Sequence, residues 1–163
     1  PDLRPGRARL NPDHLPEPVT DSPATVVAFD FGLRQIGVAT GNTLLGTTRP
    51  LQVLQAKEGV PDWSALEGLV NEWQPDLLVV GEPLNMDGSD SELAQRARKF
   101  ARRLHGRLGL PVEMADERLT SFEAKQALGE HGHRGDYHAE PADSLAAELI
   151  LRTWFSGGGR PPP

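Results

Sequence analysis

Apolar positions fall into two spacings along the chain, short runs that suit strands and longer stretches with a period near 3.6. Residues 25–30 are a β-branched apolar run closed by Phe31-Gly32, and residues 35–40 alternate with Ile36 and Val38 facing inward, which reads as a hairpin. A third strand is predicted across residues 44–54, with Pro50 at a bulge or an edge. Trp63, Leu66, Leu69, Val70 and Trp73 recur at helical spacing behind Asp62, a good N-cap, and Gln74-Pro75-Asp76 ends that helix. Residues 77–80 are continuously apolar, as expected of a strand buried on both faces. Ser89-Asp90-Ser91-Glu92 reads as a capping box before a helix carrying Leu93, Ala97, Phe100 and Leu104 on one stripe and ending near Gly106 or Gly109. Residues 112–115 make a fifth strand, Thr120-Ser121-Phe122-Glu123 a second capping box, and a last helix runs from about 142 to 155. Three strands followed by alternating helices and strands predict an α/β protein. Its mixed five-stranded sheet has an antiparallel first to third strand, a parallel fourth and fifth joined by right-handed crossovers, and flanking helices.

The ends read differently. Six prolines fall before residue 24, three close the chain, and Ser156-Gly157-Gly158-Gly159 reads as a flexible run. Residues 1–24 are therefore expected to be a disordered Pro-rich tail, 25–155 the folded domain, and 156–163 a flexible C-terminal tail. One domain suits a length of 163 residues. Seventeen Lys and Arg against 23 Asp and Glu leave a net charge of −6, which excludes an all-round basic coat but not a local basic patch. The absence of cysteine removes disulfides, thiolate metal sites and cysteine nucleophiles. No apolar run approaches the ~18 residues of a membrane span. A cytoplasmic protein without a membrane partner is the expectation.

Candidate chemistry lies in the acids at predicted strand ends. Asp30 closes the first strand, Glu117 with Asp116 before it closes the fifth, and Asp143 sits in the first turn of the last helix. Carboxyl ends of neighbouring parallel strands converge on one edge of such a sheet. Carboxylates gathered there repel one another unless cations lie between them, and hard oxygen donors without thiolates favour Mg²⁺ or Mn²⁺. Two such ions can clamp a phosphate, activate water and stabilise a leaving oxygen, the needs of phosphodiester hydrolysis. Each acid also has a plainer reading: Asp30 as a turn former, Asp143 as a first-turn carboxylate, Glu117 as a surface partner of Arg118.

The second predicted helix carries Arg96, Lys99, Arg103 and Arg107 at i+3 and i+4 spacing, on a face away from its apolar stripe. Such a face suits phosphates, with Arg49, Arg118 and Arg134 as further contacts; it equally suits an ordinary solvated surface. His131, His133 and His138 are too loosely spaced for a zinc site and read as a charged loop near the catalytic edge.

Phe29-Asp30-Phe31-Gly32, Ile36-Gly37-Val38-Ala39, Thr48-Arg49-Pro50-Leu51, Gly81-Glu82-Pro83-Leu84-Asn85-Met86-Asp87-Gly88, Asp116-Glu117-Arg118 and Asp143-Ser144-Leu145-Ala146-Ala147 resemble, in order, the motifs of the YqgF (RuvX) family. The resemblance implies a ribonuclease H-like fold and a nuclease maturing the 5′ end of 16S ribosomal RNA, related to Holliday-junction resolvases. It implies Asp30, Glu117 and Asp143 as catalytic, metal-binding acids. Glu82 departs from the family pattern, which usually reads Leu there, and with Asp116 is a candidate additional acid. Glu140-Pro141-Ala142 stands where the family tends to carry a basic residue. The expected substrate is precursor 16S ribosomal RNA, with association with ribosomal particles. The alternatives are branched DNA in recombination or repair, and a noncatalytic RNA-binding role in ribosome assembly.

Overall fold

The computed structural model describes residues 24–118 and 142–160; the second capping box at 120–123, Arg134 and the three loop histidines lie outside the described residues. Strand β1 (Thr25–Asp30) is followed by β2 (Gln35–Asn42), β3 (Thr47–Pro50), β4 (Leu54–Lys57), β5 (Val60–Pro61), helix α1 (Trp63–Trp73), β6 (Leu77–Glu82), α2 (Glu92–Leu108), β7 (Val112–Asp116) and α3 (Ala142–Thr153). A wide turn, Trp154–Gly158, leads to β8 (Gly159–Arg160). The sheet order is β5-β4-β2-β1-β6-β7-β8, with β3 also pairing with β2. β1, β6 and β7 run parallel, and the other pairs are antiparallel. Among the described residues no helix is long and apolar enough to cross a membrane.

The central strands are apolar on both sides because both sides are covered. Val27 and Phe29 of β1, with Leu78 and Val80 of β6, pack into a core with α1 and α2; Val26, Ala28, Leu77 and Val79 pack with Ala147, Ile150 and Leu151 of α3 on the opposite face. Phe100 of α2 centres the first core, its ring 5.7 Å from Phe29, 5.3 Å from Phe31 and 6.2 Å from Trp63. Asp62 caps α1 by accepting from the Ala65 N–H, and Gln74 ends it in the left-handed region with φ 49°. Gly109 at φ 70° ends α2, as a residue without Cβ can at no steric cost.

Several expectations change. The third strand is two pieces: Pro50 lacks an N–H to extend the ladder, the Leu51 N–H makes a last bond to the Val38 carbonyl, and the chain returns to β2 only at Leu54, opposite Ile36. With the short β5 and β8 added, the five predicted strands become eight among the described residues. Ser91, not Ser89, caps α2, accepting from the Ala94 N–H and donating to the Pro83 carbonyl; Ser89 is held by Asp87. Leu93 is 38% exposed, because the buried stripe of α2 is Ala94, Ala97, Phe100, Ala101 and Leu104, whose alanines bring the helix close to the sheet. The glycines after Phe155 also belong to the fold. Trp154 donates from Nε1 to Glu113 at 2.7 Å, and after the turn Gly159 and Arg160 pair with Ala115 and Met114 at the sheet edge, where a flexible tail was expected.

Phe100→Ala should remove the centre of the α1/α2 core and cost about 3–5 kcal/mol. The check is a urea midpoint that falls at unchanged slope.

Candidate active site

The register of the parallel strands decides which acids meet. Phe29 lies beside Val80, so Asp30 comes level with Gly81, and Gly81 in turn pairs with Ala115. Side chains alternate between faces along each strand. On β1, Val26 and Ala28 face α3, and Asp30 continues that series at the polar end. On β7, Val112 and Met114 face α2 while Ala115 faces α3, which sends Asp116 to the α2 side and Glu117 to the α3 side. Glu117 does fold back over the sheet on that side: a Cβ added to Gly81 would collide with the Glu117 carboxylate and would lie 2.6 Å from Ile150 Cδ1 of α3. Asp30 and Glu117 therefore sit at the same edge and on the same face, with bare Gly81 backbone between their strands.

The first turn of α3 arrives at the same level. Ser144, fully buried, donates its hydroxyl to the Leu51 carbonyl at 2.8 Å, and the Leu51 N–H bonds Val38, which pairs with Phe29. Lower down, Thr48 donates to Glu148 at 2.5 Å and Arg152 reaches the same carboxylate at 3.5 Å, fixing α3 across β3. Position 143 adjoins Ser144 in the first turn of α3, whose Ala147 and Ile150 pack on the sheet. Among the described residues no three His, Asp or Glu side chains gather into an ion-ready cluster.

Asp116 and Glu82 do not join this group. Asp116 accepts from the Arg118 backbone N–H at 2.9 Å and from its guanidinium at 3.1 and 2.6 Å, a closed local clasp. Glu82 is buried on the α2 side and accepts from Arg98 Nη1 at 2.7 Å, while Arg98 Nη2 reaches Asp90 at 2.8 Å. Carboxylates buried with a guanidinium serve as structural ties, costly to break rather than free to take a cation. Arg98 was missed by sequence reasoning, since its partner lies sixteen residues upstream.

The predicted basic face is divided. Arg96 pairs with Glu92 at 3.2 Å, and Arg107 pairs with Glu67 at 3.3 Å with its guanidinium 4.3 Å from the centre of the Trp63 ring. Arg49 lies over Trp73, 5.5 Å from the ring centre, and Arg118 is committed to Asp116. Lys99 and Arg103 have no acidic partner among the described residues and border an open groove with Phe31.

Burial, with the Asp116 charge adding to it, pushes the Glu117 carboxyl from 4.5 up to about 7. A raised carboxyl means that the folded protein holds more protons than the unfolded chain between those two values, so stability falls as pH rises through that window. Glu117→Gln should remove this fall and stabilise the metal-free protein above pH 7 by at most about 3 kcal/mol. Denaturant midpoints at pH 4.5 and 8 check it: the difference between the two pH values should shrink in the variant.

Comparison with known proteins bears on family and fold. The RuvX family, described as Holliday junction resolvase, matches residues 24–157. A protein of Saccharophagus degradans named "Putative pre-16S rRNA nuclease" is 53% identical over 131 residues, spanning 80% of this chain and 92% of its own length. One of Azotobacter vinelandii with the same name is 56% identical over 134 residues, spanning 82% and 94%. Among solved structures, T. thermophilus RuvC in complex with a Holliday junction substrate superposes with a TM-score of 0.50 at 20% identity, over 84% of this chain and 98% of that one. That likeness concerns the fold, a ribonuclease H-like mixed sheet between helices.

Proposed function

The chain belongs to the RuvX family of Holliday junction resolvases, and from this membership and the acids at its sheet edge we propose that it is a metal-dependent nuclease acting on precursor 16S ribosomal RNA. The observation that carries the proposal is the pairing of Asp30 and Glu117 on one face of the sheet edge, with the Glu117 carboxylate seated on Gly81. The relatives named for pre-16S ribosomal RNA favour RNA as the substrate. The resolvase description of the family favours branched DNA as the second reading.

The donor set fits a hard divalent cation: carboxylate oxygens, no thiolate, and a Glu117 charge that burial makes costly until a cation offsets it. Asp30 and Glu117, with Asp143 as third acid, would hold Mg²⁺ or Mn²⁺, two ions in this reading. When bound, such ions lower the pKa of water and stabilise a departing oxygen on phosphorus. The chain's own residues do the positioning. Gly81 lets Glu117 lie against the sheet, Ser144 holds the start of α3 against Leu51, and Arg118 holds the Asp116 side chain in an ion pair. Glu82 and Asp116 act here as structural carboxylates. The polar site and the lack of a membrane-crossing helix among the described residues suit work on ribosomal particles in the cytoplasm.

Loss of even an outer partner of a metal ligand costs roughly 10–100-fold in activity, so Asp30→Asn and Glu117→Gln should each reduce Mn²⁺-dependent cleavage by about 100-fold or more while leaving nucleic-acid binding in place. Gel assays on precursor RNA and on a four-way junction, with and without Mn²⁺, check both substrate and metal. Undiminished cutting by Asp30→Asn would overturn the site, and binding without cutting by the wild type on either substrate would leave the RNA-binding assembly role instead.

A further inference from the structure

The α2 side of the same edge holds a feature that the acid site does not use. An open cavity of about 410 Å³ lies between α2 and the β4–β5 hairpin, within the ~300–1,000 Å³ range of small-ligand sites. Its two walls differ in chemistry. The α2 wall presents Lys99 and Arg103, cations without acidic partners among the described residues; the hairpin wall presents Val60, 46% exposed, and buried Pro61. The edge of Phe31 reaches the floor. Gly59 makes this closeness feasible: at φ 84°, and with an added Cβ only 3.0 Å from the Phe31 ring, the position admits only glycine without displacing the hairpin from the floor. Of the acids on the rim, Glu92 is held by Arg96, and Glu58 sits at the hairpin turn.

Phe31 follows Asp30 directly in the chain, and the two side chains leave β1 towards opposite faces of the sheet. Gly32 closes the turn behind them so tightly that an added Cβ would come 2.5 Å from the Gln35 carbonyl oxygen. The groove and the acid site are thus two sides of one narrow crossing, Asp30 to Gly32. From this we infer that the groove binds an unpaired nucleotide in the strand leading away from the scissile phosphate, its phosphate on Lys99 and Arg103 and its base against Phe31, Val60 and Pro61. Cations that track the backbone beside an apolar surface for bases are the general chemistry of single-strand binding. A volume of about 410 Å³ is of the size that one base with its sugar needs. This inference rests on the nuclease reading and adds to it the form of nucleic acid that the site takes.

The test uses the full chain in metal-free buffer, where nothing is cut, and fluorescence anisotropy with a labelled unpaired oligonucleotide and its duplex. The wild type should bind the single strand. Lys99→Ala combined with Arg103→Ala should weaken that binding at least tenfold and lower its salt slope by about 1.4, two contacts at ~0.7 each. Val60→Asp should weaken it as well, while Lys99→Arg should retain it; unchanged thermal melting establishes that each variant is folded, and duplex binding should change far less. Absence of single-strand binding by the wild type, equal affinity of the double variant, equal losses on strand and duplex, or a free mononucleotide competing as well as the strand would each overturn the inference. Cleavage by the wild type with Mn²⁺ of a duplex junction lacking unpaired ends is scored separately: failure there counts against the nuclease reading, and the anisotropy result still decides the groove.

Discussion

The structure depends on a missing atom. Had residue 81 a Cβ, it would occupy the space now filled by the Glu117 carboxylate and the end of Ile150. That single vacancy among tightly packed parallel strands lets Glu117, just past the end of β7, lie back across β6, and lets α3 settle on the same strands. Packing and chemistry are coupled at this point. The contact with α3 that buries Glu117 also makes its ionised form costly, and a cation placed among the acids would reverse that cost.

The charges around this position are sorted by strand parity. Two carboxylates point to the α2 side, and each meets a guanidinium: Glu82 with Arg98, Asp116 with Arg118. Asp30 and Glu117 lie on the α3 side instead. Arg98 ties the end of β6 to the loop before α2 through Asp90, and Arg118 lies against Gly88 in that same loop, so the two ion pairs brace the ground on which the site stands. A chain of net charge −6 thereby keeps a carboxylate edge on one face and, on the other, Lys99 and Arg103, which have no acidic partner among the described residues.

Much of this was legible in the letters where the physics is local. The two-sided apolar run of β6, the Asp62 cap and the start of α3 follow from residue types and spacing alone. The separation of Asp116 from Glu117 was within reach as well, since Val112, Met114 and Asp116 fall on one parity and Ala115 and Glu117 on the other. What escaped was non-local or silent. Alanines set the packing face of α2, yet a reading weighted towards large apolar residues placed Leu93 inward. The Glu82–Arg98 pair joins a strand to a helix that sequence spacing cannot orient, and the role of Gly81 exists only once three elements are assembled. The glycines near the C-terminus read as slack because a strand that borrows its hydrogen bonds from a neighbour needs little side-chain signal.

That last strand guards an edge. β7 is the outermost of the parallel strands, and β8 pairs with it through Met114 and Ala115, just before Asp116 and Glu117. Open strand edges are templates on which other chains can add. Trimming the protein at residue 157 would expose such a template on the flank of the site, so self-association, rather than loss of chemistry, becomes the first hazard of a shortened C-terminus.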